Sequence, residues 1–350
     1  MNTEKISKQP QITVLMPVYN VSLYVKEAIE SILNQTFADF ELLIINDGSK
    51  DHTRDKVLKI TDERIRFVEN ETNIGLANTL NRGIELAKGK YIARMDGDDI
   101  SVLNRLQKQF DFLESHPDID ICGAGYEFFG SKNYKVMYPE TNENIKIGLL
   151  FGCCMIIPLY RRASIQRVGL RYDQEYFPAE DYRFWTECMI KGLKMHNIQE
   201  ILFRYRMHPT QVSEVMTNQA QMTVNVRTDY FKSLFPTATE LLKHQFVGSF
   251  VSNPILKLSD YDEQSKIVNV LNMVNDEQLY IDPQTLKAHL KKHLSIKLSN
   301  YVNEYWFVAQ YTLPKLIQLL SAGVFIKLPA KFSAKLVLKC ILRKNKFSVV

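Results

Sequence analysis

Four short, mostly apolar runs without regular polar alternation, spaced by segments of helix length, constrain this chain more than any other feature. They occupy residues 12–16, 42–45, 65–68 and 91–95. Between them, Val25, Ala28, Ile29, Ile32 and Leu33 recur at helical spacing within 23–33. Leu76, Leu80, Ile84 and Ala87 do the same within 75–87, and a polar helix is expected over 51–60. A strand without alternation is buried on both faces, so the runs predict a parallel sheet covered by helices. Ligands of such sheets bind beyond the carboxyl ends of the strands, which makes the residues at those exits the first candidates for chemistry.

The fourth run leads into Asp96-Gly97-Asp98-Asp99. Carboxylates gathered at a strand end repel one another unless a cation or ligand offsets them, and hard oxygen donors suit Mg2+ or Mn2+. A solvated acidic turn ahead of the next helix is the plainer reading. The first two runs end in Pro17-Val18-Tyr19-Asn20 and Asn46-Asp47-Gly48-Ser49. These put an aromatic ring and a carboxylate acceptor where a nucleotide base could use them, although both are also ordinary turn sequences. Farther along, Glu180-Asp181 opens a predicted helix within AEDYRFW, either as a cap or with one carboxylate acting as general base toward a hydroxyl. Finally, Arg204 and Arg206 lie on one side of a predicted strand with His208 after them. Diphosphate or metal contact and an exposed basic edge are the two readings of that segment.

In the rest of the chain a helix is expected over 102–116 and strands over 120–123, 134–138 and 155–160. A helix over 181–192 and strands over 194–197 and 201–207 follow, and helical spacing dominates after Ser213. The 350 residues are 45% hydrophobic and 24% charged, which fits a soluble globular chain and excludes disorder or a fibre. Five cysteines with no C-x-x-C pair indicate reduced, buried thiols rather than a disulfide framework or a zinc site. The polar first eleven residues do not read as a signal peptide, and no apolar run approaches the roughly 20 residues of a spanning helix. The expected location is therefore cytoplasmic.

In order, TVLMPVYN, SILNQT, LLIINDGSKD, NIGLANTLNRGIELAKGKYIARMDGDD, AEDYRFW and FRYRMHPTQVS resemble the family 2 glycosyltransferases of GT-A fold. Each motif alone is weak, whereas six in family order and spacing across residues 12–213 are strong. The resemblance is greatest to bacterial lipooligosaccharide β-1,3-N-acetylglucosaminyltransferases and related surface-polysaccharide enzymes. It implies an α/β fold, a mixed and mainly parallel sheet flanked by helices, with a C-terminal helical region. The implied catalytic domain is 1–213, with a donor half over 12–101 and an acceptor half over 102–213; residues 214–350 form the helical region.

The resemblance also implies roles. Pro17, Tyr19 and Asp47 match residues that hold the uracil and ribose of a UDP-sugar, and Asp96 matches a carboxylate near the ribose and metal. Asp98 matches the ligand of Mn2+ or Mg2+, and His208 falls where some members place a further metal or phosphate contact. Asp181 matches the general base of an inverting transfer, and Glu180 the neighbour that contacts the acceptor. The implied reaction moves a hexose or N-acetylhexosamine to a lipid-linked oligosaccharide in lipopolysaccharide or capsule synthesis. The stretch FGCCMIIPLYRR (151–162) departs from the family pattern, so donor and acceptor specificity do not carry over.

Rival readings are a sugar-nucleotide nucleotidyltransferase, a phosphohydrolase with an aspartate nucleophile, and a non-catalytic carbohydrate-binding protein. The first would carry a Gly-rich phosphate loop after the first strand, where this chain has Pro17-Val18-Tyr19-Asn20. The net charge of +5 is uneven: residues 305–350 hold eight basic side chains and no acidic one, so the other 304 residues carry 36 basic and 39 acidic. Lys327, Lys331, Lys335, Lys339 and Arg343 recur every four residues and would form one helix face. A peripheral contact with anionic membrane is expected of it, with Phe332, Leu336, Val337, Cys340 and Ile341 covering apolar surface. The alternatives are a helix packed on its own domain and nucleic-acid binding, which the acidic body argues against.

Overall fold

In the computed structural model, which describes residues 9–131, 133–209, 211, 217–307 and 311–342, the unalternating runs form the centre of a sheet. Strands β1 (Ile12–Val18) and β2 (Phe40–Asn46) are buried along their whole length, while β3 (Ile65–Glu69) is partly buried at the edge. Together with β4 (Tyr91–Arg94) they pair in parallel in the order β3-β2-β1-β4. Helices α1 (Val25–Leu33), α2 (Thr53–Leu58) and α3 (Leu76–Leu86) connect them. Of the residues at helical spacing, Val25, Ala28, Ile29 and Ile32 of α1 lie in the core, as do Leu80, Ile84 and Ala87 in and after α3; Leu33 and Leu76 are only partly buried, and Ala77, outside the predicted face, is buried as well.

Helix α3 lies against β1 so closely that a β-carbon on Gly83 would stand 2.2 Å from Leu15 Cδ1. Alanine is the better helix former, yet this site has no room for its methyl. Gly83→Ala is therefore expected to lower stability by about 1–3 kcal/mol, the usual range for an overpacked core, and chemical denaturation measures it directly.

The sheet continues through short β8 (Leu159–Arg161), antiparallel to both β4 and β6 (Ile121–Gly130), and through β9 (Met195–Met207), which runs parallel to β6. Strand β5 (Ile100–Ser101) closes the far edge on β9, and β7 (Tyr134–Val136) pairs with β6. The sheet is mixed and mainly parallel, as the sequence implied. Helix α4 (Arg105–Ser115) follows β5, α5 (Asn142–Gly148) and α6 (Arg162–Val168) flank β8 in sequence, and α7 (Glu180–Ile190) precedes β9.

The strands expected at 120–123, 155–160, 194–197 and 201–207 differ in extent. The strands expected at 194–197 and 201–207 are one strand, because β9 stays paired with β6 through register shifts at Ala124, Gly125 and Tyr126. For the same reason β6 extends to Gly130 rather than stopping at Gly123. The strand expected over 155–160 begins only at Leu159, because Ile157 adopts a left-handed backbone at φ 43° and Pro158 follows it.

Contacts divide the chain into two units, residues 1–230 and 231–350. The expected boundary near Ser213 lies outside the described residues. The first unit includes the start of α8 (Gln219–Leu234), where Arg227 Nη2 donates to the Phe151 carbonyl at 2.8 Å and the Tyr230 hydroxyl donates to the Lys146 carbonyl at 2.9 Å.

The second unit is helical: α9 (Glu240–His244), a π-helical turn (Gln245–Ser252), α10 (Leu258–Gln278), α11 (Pro283–Tyr301), α12 (Leu313–Ser321) and α13 (Ala330–Ile341). Phe231, Phe235, Phe246 and Phe250 stack in series at its core, with ring centroids 5.0–5.3 Å apart. Leu286, Leu290, Leu294 and Leu298 line the buried face of α11. Among the described residues no helix is long and apolar enough to cross a membrane. All five cysteines are unpaired, and all but the half-buried Cys153 are buried.

Candidate active site

The site grows from the carboxyl ends of β1, β2 and β4, which parallel pairing brings to one edge. Pro17, the penultimate residue of β1, is buried opposite Ile45, and Tyr19 just beyond it is 43% exposed. The loop carrying Tyr19 is laced to the loop after β2: the Asn20 amide donates to Ser49 Oγ at 3.0 Å, Val21 to Thr53 Oγ1 at 2.9 Å and Ser22 to Asp51 Oδ2 at 3.0 Å. The Ser and Asp of the N-D-G-S-K-D stretch thus fix the aromatic loop, a job the sequence did not announce.

Asp47 is 3% exposed and already engaged. Its Oδ1 accepts from Asn70 Nδ2 at 2.7 Å and the Ile74 amide at 2.9 Å, and its Oδ2 accepts from the Gly75 amide at 3.0 Å. Two oxygens offer four acceptor positions, so one remains for a ligand N–H. Asp47 therefore anchors the Asn73-Ile74-Gly75 turn as well as offering an acceptor.

The D-G-D-D turn leaves β4 in three separate environments. Asp96 is partly exposed and faces Arg94, whose Nε lies 3.2 Å from Asp96 Oδ1. Asp98 is partly exposed, with its Oδ2 3.1 Å from His208 Nε2. Asp99 is 2% exposed and accepts the Arg206 amide at 2.7 Å; burial, with Asp98 and Asp96 nearby, holds its carboxyl well above the usual range. Gly97 permits the turn, since a β-carbon there would meet Val18 Cγ1 at 2.7 Å. Arg206 braces the turn from β9: its Nε donates to the Asp98 carbonyl at 2.7 Å, and its guanidinium lies 4.9 Å from the Tyr24 ring centroid. Arg204 instead pairs with Glu127 at 3.0 Å.

Asp98 and His208 present an oxygen and a nitrogen donor to one point. Among the described residues no group of three or more His, Cys, Asp or Glu side chains converges as a complete metal cage. A divalent ion there would complete its shell with diphosphate oxygens and water, which is how Mg2+ commonly binds beside phosphates. The donor set fits Mg2+ or Mn2+ on those terms.

Two buried arginines that the sequence reading passed over organise the acidic side. Arg94, 8% exposed, faces Asp96 and also reaches Glu180, with Nη2 4.0 Å from Oε1. Arg105, 1% exposed, donates from Nη2 to the carbonyls of Arg94 at 2.7 Å and Ile157 at 3.0 Å, fixing the end of β4; burial lowers its pKa to about 9. Both sit where an arginine reads as an edge residue, so only the neighbouring carboxylates hinted at Arg94.

Glu180 and Asp181 begin α7 beside this arginine. Glu180 is 4% exposed, and burial, then Asp181, push its pKa up to about 7 against the pull of Arg94. Asp181 is partly exposed and accepts the Tyr182 amide at 2.6 Å; burial raises its pKa while Arg94 pulls it down. The Cys153 thiol, in the stretch that departs from the family pattern, feels both Asp181 and Arg94, and burial keeps it protonated.

Loss of the Arg94 charge would leave these carboxylates without their main cation. Arg94→Met is expected to lower stability by about 3–5 kcal/mol, as for a broken buried ion pair. The deficit should be larger at pH 8 than at pH 5. Glu180 has its folded pKa raised toward 7, so at pH 5 it is protonated and needs no counter-charge, whereas at pH 8 it is ionised. Urea denaturation at the two pH values measures the difference.

The structure thus brings Pro17, Asp47, Asp96, Asp98 and His208 to the sheet edge, with Tyr19 exposed above it. Glu180 and Asp181 join them through Arg94.

The sequence model described as glycosyl transferase family 2 matches residues 13–169. An uncharacterized glycosyltransferase of Haemophilus influenzae is 33% identical over 229 residues, covering 61% of this chain and 71% of that protein. Another, MJ1057 of Methanocaldococcus jannaschii, is 34% identical over 206 residues, covering 57% of this chain and 71% of its own. The crystal structure of S. aureus TarS 1–349 in complex with UDP-GlcNAc superposes with a TM-score of 0.56 at 15% identity, over 91% of this chain and 90% of that one, which places the fold among the GT-A transferases. The catalytic sheet, its site edge and these relatives agree: the chain is a glycosyltransferase and belongs to family 2.

Proposed function

We propose that this enzyme is a metal-dependent, inverting transferase that moves a hexose or N-acetylhexosamine from a UDP-sugar to a hydroxyl of a lipid-linked oligosaccharide in lipopolysaccharide or capsule synthesis. The observation that carries this reading is that Asp98 lies 3.1 Å from His208 at the exit of β4, while Arg94 at the end of the same strand pairs with Asp96 and acts on the Glu180-Asp181 pair. In this reading residues 1–213 are the catalytic domain, with the donor half over 12–101 and the acceptor half over 102–213. The TarS chain was crystallised with UDP-GlcNAc, which favours a uridine donor here.

Tyr19 stacks on the uracil, Pro17 shapes its floor, and Asp47 accepts a base N–H at its remaining position. Asp96 lies near the ribose and the metal. Asp98 and His208 would hold Mn2+ or Mg2+, which supplies positive charge to the departing diphosphate. Asp181 removes the proton from the acceptor hydroxyl while that oxygen attacks the anomeric carbon and the bond from that carbon to UDP breaks on the opposite face. Glu180, half protonated near neutral pH, donates a hydrogen bond to the acceptor. A nucleotidyltransferase is disfavoured because β1 leads into a Tyr19-Asn20 turn rather than a glycine-rich phosphate loop.

Since Asp181 must be ionised to act and its pKa is raised, turnover should fall as pH drops through a value above the ordinary aspartate range. A pH profile of kcat at saturating donor checks this; an acid limb at or below the pKa of a free aspartate would contradict it. Calorimetric titration with UDP tests the donor reading itself, which predicts binding strengthened by Mn2+ and lost in Asp47→Ala.

A further inference from the structure

The second unit carries a surface that the transfer chemistry does not use. Of the five basic residues expected to form one helix face, the unit itself engages two. Lys327 lies 3.4 Å from Asp262 and over the Tyr261 ring, and Lys339 donates to the Tyr311 hydroxyl at 3.1 Å. Arg343 lies outside the described residues. Lys331 and Lys335 remain exposed.

The apolar side chains also divide differently from the expectation. Leu336 and Cys340, expected to cover external apolar surface, are buried in the unit, and Ser333 is buried with them. The outward face of α13 instead reads Lys331, Lys335, Leu338 and Leu342, at a spacing of four, three and four residues. Leu338 is 56% exposed and Leu342 55%, with Ile341 at 59% beside them.

Helix α12, which packs against α13, repeats the pattern. It buries Leu316 and Leu319 and exposes Leu313, Ile317 and Leu320, also at four- and three-residue spacing. The turn between the two helices exposes Ile326 at 87%. Large aliphatic side chains recurring on the outer faces of adjacent helices, beside exposed lysines, mark an interaction surface.

Charge identifies its partner. Residues 305–350 contain eight basic side chains and no acidic one. A second copy of this face would set like charges against each other with nothing to pair them. An anionic bilayer offers what the face lacks: negative phosphates at headgroup depth and hydrocarbon just beneath. We propose that α12 and α13 dock on an anionic lipid surface, with the exposed leucines and isoleucines entering the headgroup boundary and Lys331 and Lys335 on lipid phosphates. None of these residues belongs to the transfer site, so the failure of this proposal and that of the donor reading are distinguishable.

The test is cosedimentation of the full chain with vesicles of phosphatidylcholine, alone or mixed with phosphatidylglycerol. Binding is expected only to the mixed vesicles and should weaken as salt rises. Each lysine at such a surface contributes about 1 kcal/mol, so Lys331→Gln with Lys335→Gln should weaken binding by about 25-fold. Leu338→Ser with Leu342→Ser should weaken it by about tenfold or more even at low salt. All four positions are exposed, so unchanged circular dichroism and UDP release would accompany these losses. Equal binding to neutral and anionic vesicles, no binding of the wild-type chain, or variants that bind as tightly as wild type would overturn the proposal. So would a wild-type dimer that the leucine variant dissociates without any effect on vesicle binding.

Discussion

Asp181→Asn is expected to lower turnover by about 10²–10⁴-fold, the range that general-base catalysis supplies, while leaving donor affinity nearly unchanged. The amide is isosteric and still accepts from the Tyr182 amide through Oδ1, so the start of α7 keeps its geometry. It cannot take up the acceptor proton. Removing one of two close carboxylates also relieves Glu180, whose ionisation Asp181 opposes. The variant should thus be at least as stable as wild type above neutral pH. This separates a chemical loss from a folding loss: a variant that turned over normally, or that lost donor binding together with turnover, would remove Asp181 from the role of base.

The second large effect is expected at Asp98. Arg206 braces the D-G-D-D turn through the Asp98 carbonyl, and the buried Asp99 accepts the Arg206 amide. Neither bond uses the Asp98 carboxylate, so Asp98→Ala should fold normally. It should lose about 10²–10³-fold in turnover, as when one stabiliser of developing charge is deleted. Excess chelator should lower wild-type turnover by a similar factor and should have little further effect on the variant. Steady-state UDP release with and without chelator reads both arms. Full wild-type activity in chelator would show that the Asp98 and His208 pair serves some purpose other than holding a metal.

Strands β1, β2 and β4 were legible because burial on both faces leaves an unmistakable pattern. Runs such as 12–16 and 42–45 have no polar face and can only be central strands. Farther along, the decisive contacts are long-range: β9 follows β6 through register shifts, and Ile157 truncates β8 by its backbone conformation. No local pattern encodes either feature. In the candidate site, residue type and position at a strand exit pointed to Asp98 and His208, and position at a helix start to Asp181. The sequence could not say that Asp99 faces inward or that Asp47 also ties down the Gly75 turn.

Arg94 and Arg105 were missed for a physical reason. A buried cation is unfavourable on its own and becomes explicable only beside the carboxylates and carbonyls it serves. In the tail, helical spacing correctly grouped Lys331 with Lys335, but which aliphatic side chains face inward depends on the neighbouring helices. That is why Leu336 and Cys340 are core residues while Leu338 and Leu342 are exposed.

Metal-assisted transfer from a uridine-diphosphate sugar is tested in one assay: UDP release from a panel of UDP-sugars by the full chain, with Mn2+, with Mg2+ and in excess chelator, followed by addition of saccharide acceptors to the best donor. Metal-dependent release from one or a few UDP-hexoses or UDP-N-acetylhexosamines, stimulated by an acceptor hydroxyl, is the expected result. Preference for a donor with another base, or release indifferent to metal, would contradict it.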